Sequence, residues 1–131
     1  MPAGNFSLTT SAQYEFIDIT RQLERIVASQ QDNGLLYVFN PHTTAGLTIN
    51  EGADPDVQRD ILTAFRKMVP DLAYQHAEGN SPAHIMATLT GCSLTVSCED
   101  KHLVLGRWQR IFFCEFDGPR TRTVHWRLLK S

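Results

Sequence analysis

Three short segments carry residue types that folding alone does not call for. The first is Pro41-His42-Thr43-Thr44-Ala45-Gly46, a polar break between two strongly β segments, which Asn50-Glu51 extends with an amide and a carboxylate. A histidine followed by two hydroxyls can bind a metal, a phosphate or both; an ordinary β-turn with threonines bonded to the backbone explains the same residues. The second runs from Tyr74 to His84 and holds His76, Asn80 and His84. Neutral imidazole is a ligand for zinc, nickel and iron. His42, His76 and His84 together could make a three-histidine site with one open position, the arrangement catalytic zinc uses. Their spacing is not diagnostic, since no HExxH pair is present and scattered histidines are commonly surface or core groups. The third segment is Leu105–Gln109 followed by Glu115-Phe116-Asp117-Gly118-Pro119-Arg120-Thr121-Arg122. Asp-Gly-Pro turns the chain sharply, and Arg120 leaves that turn with an always-charged fork suited to carboxylate or phosphate. Glu115 and Asp117 lie two apart, on one face of a regular strand. They can do acid–base work, orient a neighbouring group, or pair with Arg120 or Arg122.

The elements that must position these groups change type every ten to fifteen residues. Phe6–Thr10 and Tyr14–Ile19 read as strands. Thr20 is placed to cap a helix through Gln30, with Leu23, Ile26 and Val27 on one face. Asp32-Asn33-Gly34 supplies left-handed-permissive residues to stop it. Leu35–Phe39 is apolar on both faces, as a central strand is, and Ala45–Asn50 alternates. Asp54-Pro55 starts a second helix, with Val57, Ile61, Phe65, Met68 and Val69 at helical spacing until Pro70. Asp71–Asn80 is irregular; Ser81-Pro82 opens a shorter helix that Gly91 ends. Strands are expected at Ser93–Cys98, Leu103–Leu105, Gln109–Phe116 and Thr121–Leu129, with His102 in a turn. The order predicts one α+β domain over 1–131, with a mixed, mostly antiparallel sheet and two to three helices.

Composition sets the outer limits. The 131 residues are 42% hydrophobic and 20% charged, with net charge −2. That excludes disorder and disfavours a nucleic-acid partner, whose nonspecific capture needs clustered cationic charge. Cys92, Cys98 and Cys114 have spacings of six and sixteen residues, match no common zinc pattern and read as reduced thiols. No apolar run approaches membrane-spanning length and no signal peptide is evident, so a cytoplasmic protein without membrane contact is expected. Ser-His-Asp sets, phosphate-binding Gly-rich loops and dinucleotide fingerprints are lacking.

His42-Thr43-Thr44-Ala45, Asn50-Glu51, Asp60, His76, Asn80, Ala83-His84, Gly91, Leu105-Gly106, Trp108-Gln109 and Glu115-Phe116-Asp117-Gly118-Pro119-Arg120 stand in an order that resembles the YjbQ-like family. These are small proteins described as secondary thiamine-phosphate synthases. The resemblance runs from before residue 20 to the final strand. It implies the YjbQ-like fold, a homotrimer about a threefold axis, and a single polar site able to hold a metal. The implied reaction joins a hydroxymethylpyrimidine diphosphate to a thiazole phosphate and releases diphosphate. On that reading Glu51, Asp117 and Arg120 are catalytic, while Thr43, Thr44, Asn50, Asn80 and Arg120 hold the phosphorylated metabolite. His42, His76 and His84 are the implied metal ligands, with Asp60 able to orient one of them. Imidazoles favour zinc, nickel or iron, whereas a diphosphate substrate usually brings magnesium, which prefers oxygen. That mismatch keeps open a metal-dependent hydrolase of a small phosphorylated metabolite, and a noncatalytic metal- or metabolite-binding module. Two departures from the family pattern are Arg107, where Thr is more usual, and a short Gln75–Ala83 stretch.

Overall fold

The computed structural model describes residues 2–131. The elements in chain order are β1 (Ala3–Thr9), β2 (Glu15–Asp18), α1 (Thr20–Ala28), β3 (Gly34–Phe39), β4 (Ala45–Glu51), α2 (Pro55–Met68), α3 (Ser81–Thr90), β5 (Ser93–Glu99), β6 (His102–Leu103), β7 (Gln109–Glu115) and β8 (Thr121–Lys130). The α+β class is as expected, but the strands divide between two sheets. One has the order β1-β8-β3-β5-β6 and the other β2-β7-β4, and the pairings are antiparallel.

The inner face of the five-stranded sheet meets the three-stranded sheet and α1. Leu36, Val38, Val96, Val124 and Leu128 pack there with Leu47, Ile111 and Phe113, and with Leu23 and Val27 of α1. A second cluster covers the opposite face of the small sheet, where Phe112, Cys114 and Phe116 meet Ala83 and Met86 of α3 and Leu62 and Phe65 of α2. Strand β7 is central in its sheet and covered on both faces, so its alternating side chains feed both clusters. Burial pushes the Cys114 thiol far up, which makes it an inert packing group. Helix α3 lies close on β4 because Gly46 has no side chain; a Cβ there would stand 1.8 Å from Thr90 Oγ1.

Several local expectations are corrected. Thr20 is the first residue of α1 and caps nothing: its hydroxyl takes the Ile111 N–H at 2.8 Å, while Asp18 Oδ1 accepts the Thr20 N–H. A cross-sheet bond has won over a local one. Helix α1 ends at Ala28, with Ser29 still right-handed, and none of Asp32, Asn33 and Gly34 has a positive φ. His102 lies in β6, paired with Glu99, and not in a turn. In α2 no residue is fully buried and Met68 is 64% exposed, because within the chain only its Leu62–Phe65 edge reaches the core. Gly91 does end α3, at φ 91°.

Candidate functional site

Strand β3 leaves the large sheet after Phe39, and the next residues form a loop held from inside by Asn40. The Asn40 side chain accepts the His42 N–H at 2.9 Å and donates to the Ala45 and His42 carbonyls at 2.8 and 3.3 Å. Its own N–H bonds the Cys92 carbonyl, joining the loop to the start of β5. Asn40 is buried, so all this polar character is spent on shaping the turn that presents His42-Thr43-Thr44. Pairing on β8 reaches Phe39 opposite His125, and two residues earlier the Thr123 N–H faces the space β3 has left. The His42 ring occupies it, with Nε2 accepting that N–H at 2.9 Å. Burial and the nearby Arg122 guanidinium hold His42 below the usual imidazole range, against a smaller opposing pull from Glu115.

Behind this loop lies a buried ion pair. Glu115, at the end of β7, is fully buried and Arg122 of β8 nearly so. Arg122 Nε donates to Glu115 Oε1 at 2.8 Å, and Nη2 donates both to Oε2 and to Thr44 Oγ1. Thr10 adds its hydroxyl to Oε1 and the Asp117 N–H meets Oε2. Burial alone would raise the Glu115 carboxyl; these donors outweigh it and hold it below the usual carboxylate range. The network fixes Thr44 and the first residue of the Asp117–Arg120 turn in one frame.

The exposed side of that turn carries the charge. Arg120 Nε donates to the Asp117 carbonyl at 2.8 Å and Nη2 to Asp117 Oδ2 at 3.0 Å. Two of the five guanidinium N–H groups are thereby used, and the half-exposed remainder faces outward. Asn80, the residue before α3, donates its amide to the same Oδ2 at 3.1 Å. That contact sets the amide's orientation, since a flip would place oxygen against carboxylate. Asn80 Oδ1 is buried and lacks a hydrogen-bond partner among the described residues.

One turn into α3, His84 borders two clefts. One, of about 450 Å³, is lined by His42, Thr43, Thr88 and Cys92 among others. The other, of about 530 Å³, is lined by Tyr74, Gln75, His76, Ser81 and Ile85 with His84. The His76 and His84 rings meet edge to face at 5.4 Å.

Comparison with other proteins shows what this arrangement belongs to. The family model described as UPF0047 protein YjbQ-like matches residues 4–131. The chain is a member of this family. It is 44% identical over 125 residues to UPF0047 protein YugU of Bacillus subtilis, covering 93% of this chain and 95% of that protein. It is 42% identical over 126 residues to a UPF0047 protein of Methanocaldococcus jannaschii, covering 95% and 91%. A crystal structure of an uncharacterized YjbQ/UPF0047 protein from Clostridium acetobutylicum superposes with a TM-score of 0.91 at 50% identity, covering 95% and 98%. A hypothetical protein from Aeropyrum pernix gives 0.93 at 36% identity over the whole of both chains.

The residues singled out from the sequence of this UPF0047 protein fall into three groups. Asn80 and Arg120 both donate to Asp117, and Thr44 is tied to this group through Arg122 and Glu115. His42, Thr43 and His84 share one cleft, and His76 meets His84 from the other side. Asn50 and Glu51 lie at the far end of β4, five and six residues and about 17–20 Å along the strand from Ala45. There Glu51 Oε2 accepts the Asp54 N–H ahead of α2, and Asp60 is exposed on α2. Among the described residues no three His, Cys, Asp or Glu side chains are grouped to hold a metal ion. His42 already uses Nε2 on a backbone N–H, so within the chain the three histidines do not fit one metal centre. Two residues the sequence reading did not single out are Asn40 and Thr123. Asn40 had a faint signal, a buried-type position just past an apolar strand and before Pro41. Thr123 had none, because it acts through its main chain. No helix among the described residues is long and apolar enough to cross a membrane.

Proposed function

We propose that this UPF0047 protein is a transferase of the thiamine-phosphate synthase type. It would join a hydroxymethylpyrimidine diphosphate to a thiazole phosphate at the face formed by the His42 loop, the start of α3 and the Asp117–Arg120 turn. The observation that carries the reading is Arg120, pinned by Asp117 with its remaining N–H groups free, on a turn that Asn80 ties to the start of α3, the helix whose His84 lines a cleft with His42 and Thr43. In such a reaction the thiazole nitrogen attacks the methylene carbon, the carbon–oxygen bond breaks, and diphosphate leaves with the electron pair. The protein's part is to neutralise charge growing on the leaving group and to align two substrates. Arg120 supplies the fixed positive charge, Asp117 and Asn80 aim it, and the exposed Thr43 hydroxyl supplies a further donor. Thr44 acts from behind, through Arg122.

Self-association is part of the proposal. Met68, Leu72, Ile85 and Leu89 are exposed around the unfilled side of α2 and along α3, and a homotrimer would cover apolar surface of this kind. It would also give Asn50 and Glu51 a route to the site, from a neighbouring copy. Light scattering on the purified protein would then read three times 14.8 kDa.

The neighbouring His76 and His84 favour a second reading, a divalent-metal-dependent hydrolase of a phosphorylated metabolite or a metal-binding module. Incubation of metal-replete protein with both synthase substrates separates the readings. Thiamine phosphate and diphosphate formed in equal amounts support the transferase. Phosphate released from one substrate alone supports the hydrolase, and neither product leaves the binding module.

A further inference from the structure

The position of His42 determines which of its nitrogens carries a proton. The Thr123 main-chain N–H can only donate, so Nε2, 2.9 Å away, must present its lone pair. A neutral ring with a bare Nε2 carries its proton on Nδ1. The backbone beneath is equally constrained, since Asn40 bonds both the N–H and the carbonyl of His42. Nδ1 makes no hydrogen bond among the described residues, and the ring borders the cleft shared with Thr43 and His84. A residue whose type suggests a metal ligand is thus built as something else.

We propose that His42 serves this cleft as a fixed, neutral hydrogen-bond donor through Nδ1–H, directed at an anionic oxygen of the ligand, and does not bind metal through Nε2. The identity of the acceptor as a phosphate or diphosphate oxygen rests on the transferase reading; the tautomer does not. Using the ladder N–H of β8 as the anchor costs the sheet nothing, because β3 has already turned away at that point. It fixes the ring against a rigid strand, which is what a group aligning a substrate requires.

Long-range proton–nitrogen correlation spectra of the histidine-labelled wild-type protein at neutral pH read the tautomer directly. The expected result for His42 is a protonated Nδ1 and an unprotonated Nε2. Equimolar zinc should leave both resonances in place, while millimolar inorganic pyrophosphate should shift Nδ1 and its proton. Two variants add an independent readout. His42→Asn keeps a donor near the Nδ1 position and should bind pyrophosphate within a few-fold of wild type. His42→Gln keeps a group only near Nε2 and should bind about tenfold or more weakly, the loss of one hydrogen bond to a charged acceptor. An Nε2–H tautomer, a zinc-dependent shift of Nε2, or no Nδ1 shift with pyrophosphate would each overturn the proposal. If the tautomer and pyrophosphate results hold while thiamine phosphate fails to form, the transferase reading falls and the donor role stands.

Discussion

Replacing Arg122 by Met removes one half of the buried pair on which the Asp117 turn and Thr44 are both mounted. Arg122 is 5% exposed and Glu115 not at all, so water cannot replace the lost partner. The carboxylate would keep the Thr10 hydroxyl and the Asp117 N–H, but its neutralising charge would be gone. Leaving one member of a buried pair uncompensated costs about 3–5 kcal/mol. With a urea m-value of about 2 kcal/mol/M, the unfolding midpoint should fall by roughly 1.5–2.5 M. Far-UV circular dichroism and tryptophan fluorescence, read together, would show whether the transition stays two-state. The double variant Arg122→Met with Glu115→Gln removes both charges; the amide oxygen can still accept the Asp117 N–H while its NH2 donates to the Thr10 hydroxyl oxygen, so the variant should recover at least half of the loss. A single-variant loss below about 1 kcal/mol, or a double variant no better than the single, would refute the view that this pair is a desolvated structural unit.

Other consequences follow from the same contacts. Arg120→Ala should weaken pyrophosphate binding by tenfold or more while shifting stability by less than about 1 kcal/mol, because its ion pair with Asp117 is half exposed; calorimetry against a melting curve separates the two. Asn40→Ala should cost about 1–3 kcal/mol, since it leaves the buried Ala45 carbonyl and the partly buried His42 N–H without their partner, and hydrogen exchange should speed up in the 40–45 loop. Stability should fall with acid in two windows. His42 is depressed in the folded state, so the unfolded chain binds more protons below about 6.5, and stability present above that pH declines as the pH falls toward the folded value. Glu115 is also depressed, and its contribution, complete above about 4.5, is lost as the pH drops through its lower folded value. A urea series between neutral pH and pH 3 checks both slopes.

The elements were legible where periodicity and punctuation agree: Pro55 and Pro82 open helices and Gly91 closes one. Leu35–Phe39, apolar throughout, lies inside its sheet between β5 and β8. The errors share a cause. Thr20 has the chemistry of a cap, but a strand N–H from Ile111, 91 residues away, outcompetes the helix for its hydroxyl. Division into two sheets depends on which strands pair across long separations, and alternation does not specify partners. In the candidate site, the grouping of Asp117, Arg120 and Asn80 follows residue type because it is made by polar side chains on a turn and a helix start. The contact that anchors His42 could not be read that way, since it is made by a main-chain N–H of β8 that leaves no mark on residue identity. Asn50 and Glu51 look close to Thr43 and Thr44 in sequence, but an extended strand carries them away.

Arg120 and its surroundings are proposed as the seat of a phosphorylated ligand. Titration calorimetry with inorganic pyrophosphate, run on wild type and on Arg120→Ala of unchanged melting temperature, tests this directly. Saturable binding by wild type that the variant loses by tenfold or more is the predicted result. Equal affinity in the two proteins, or no binding by wild type, would contradict it.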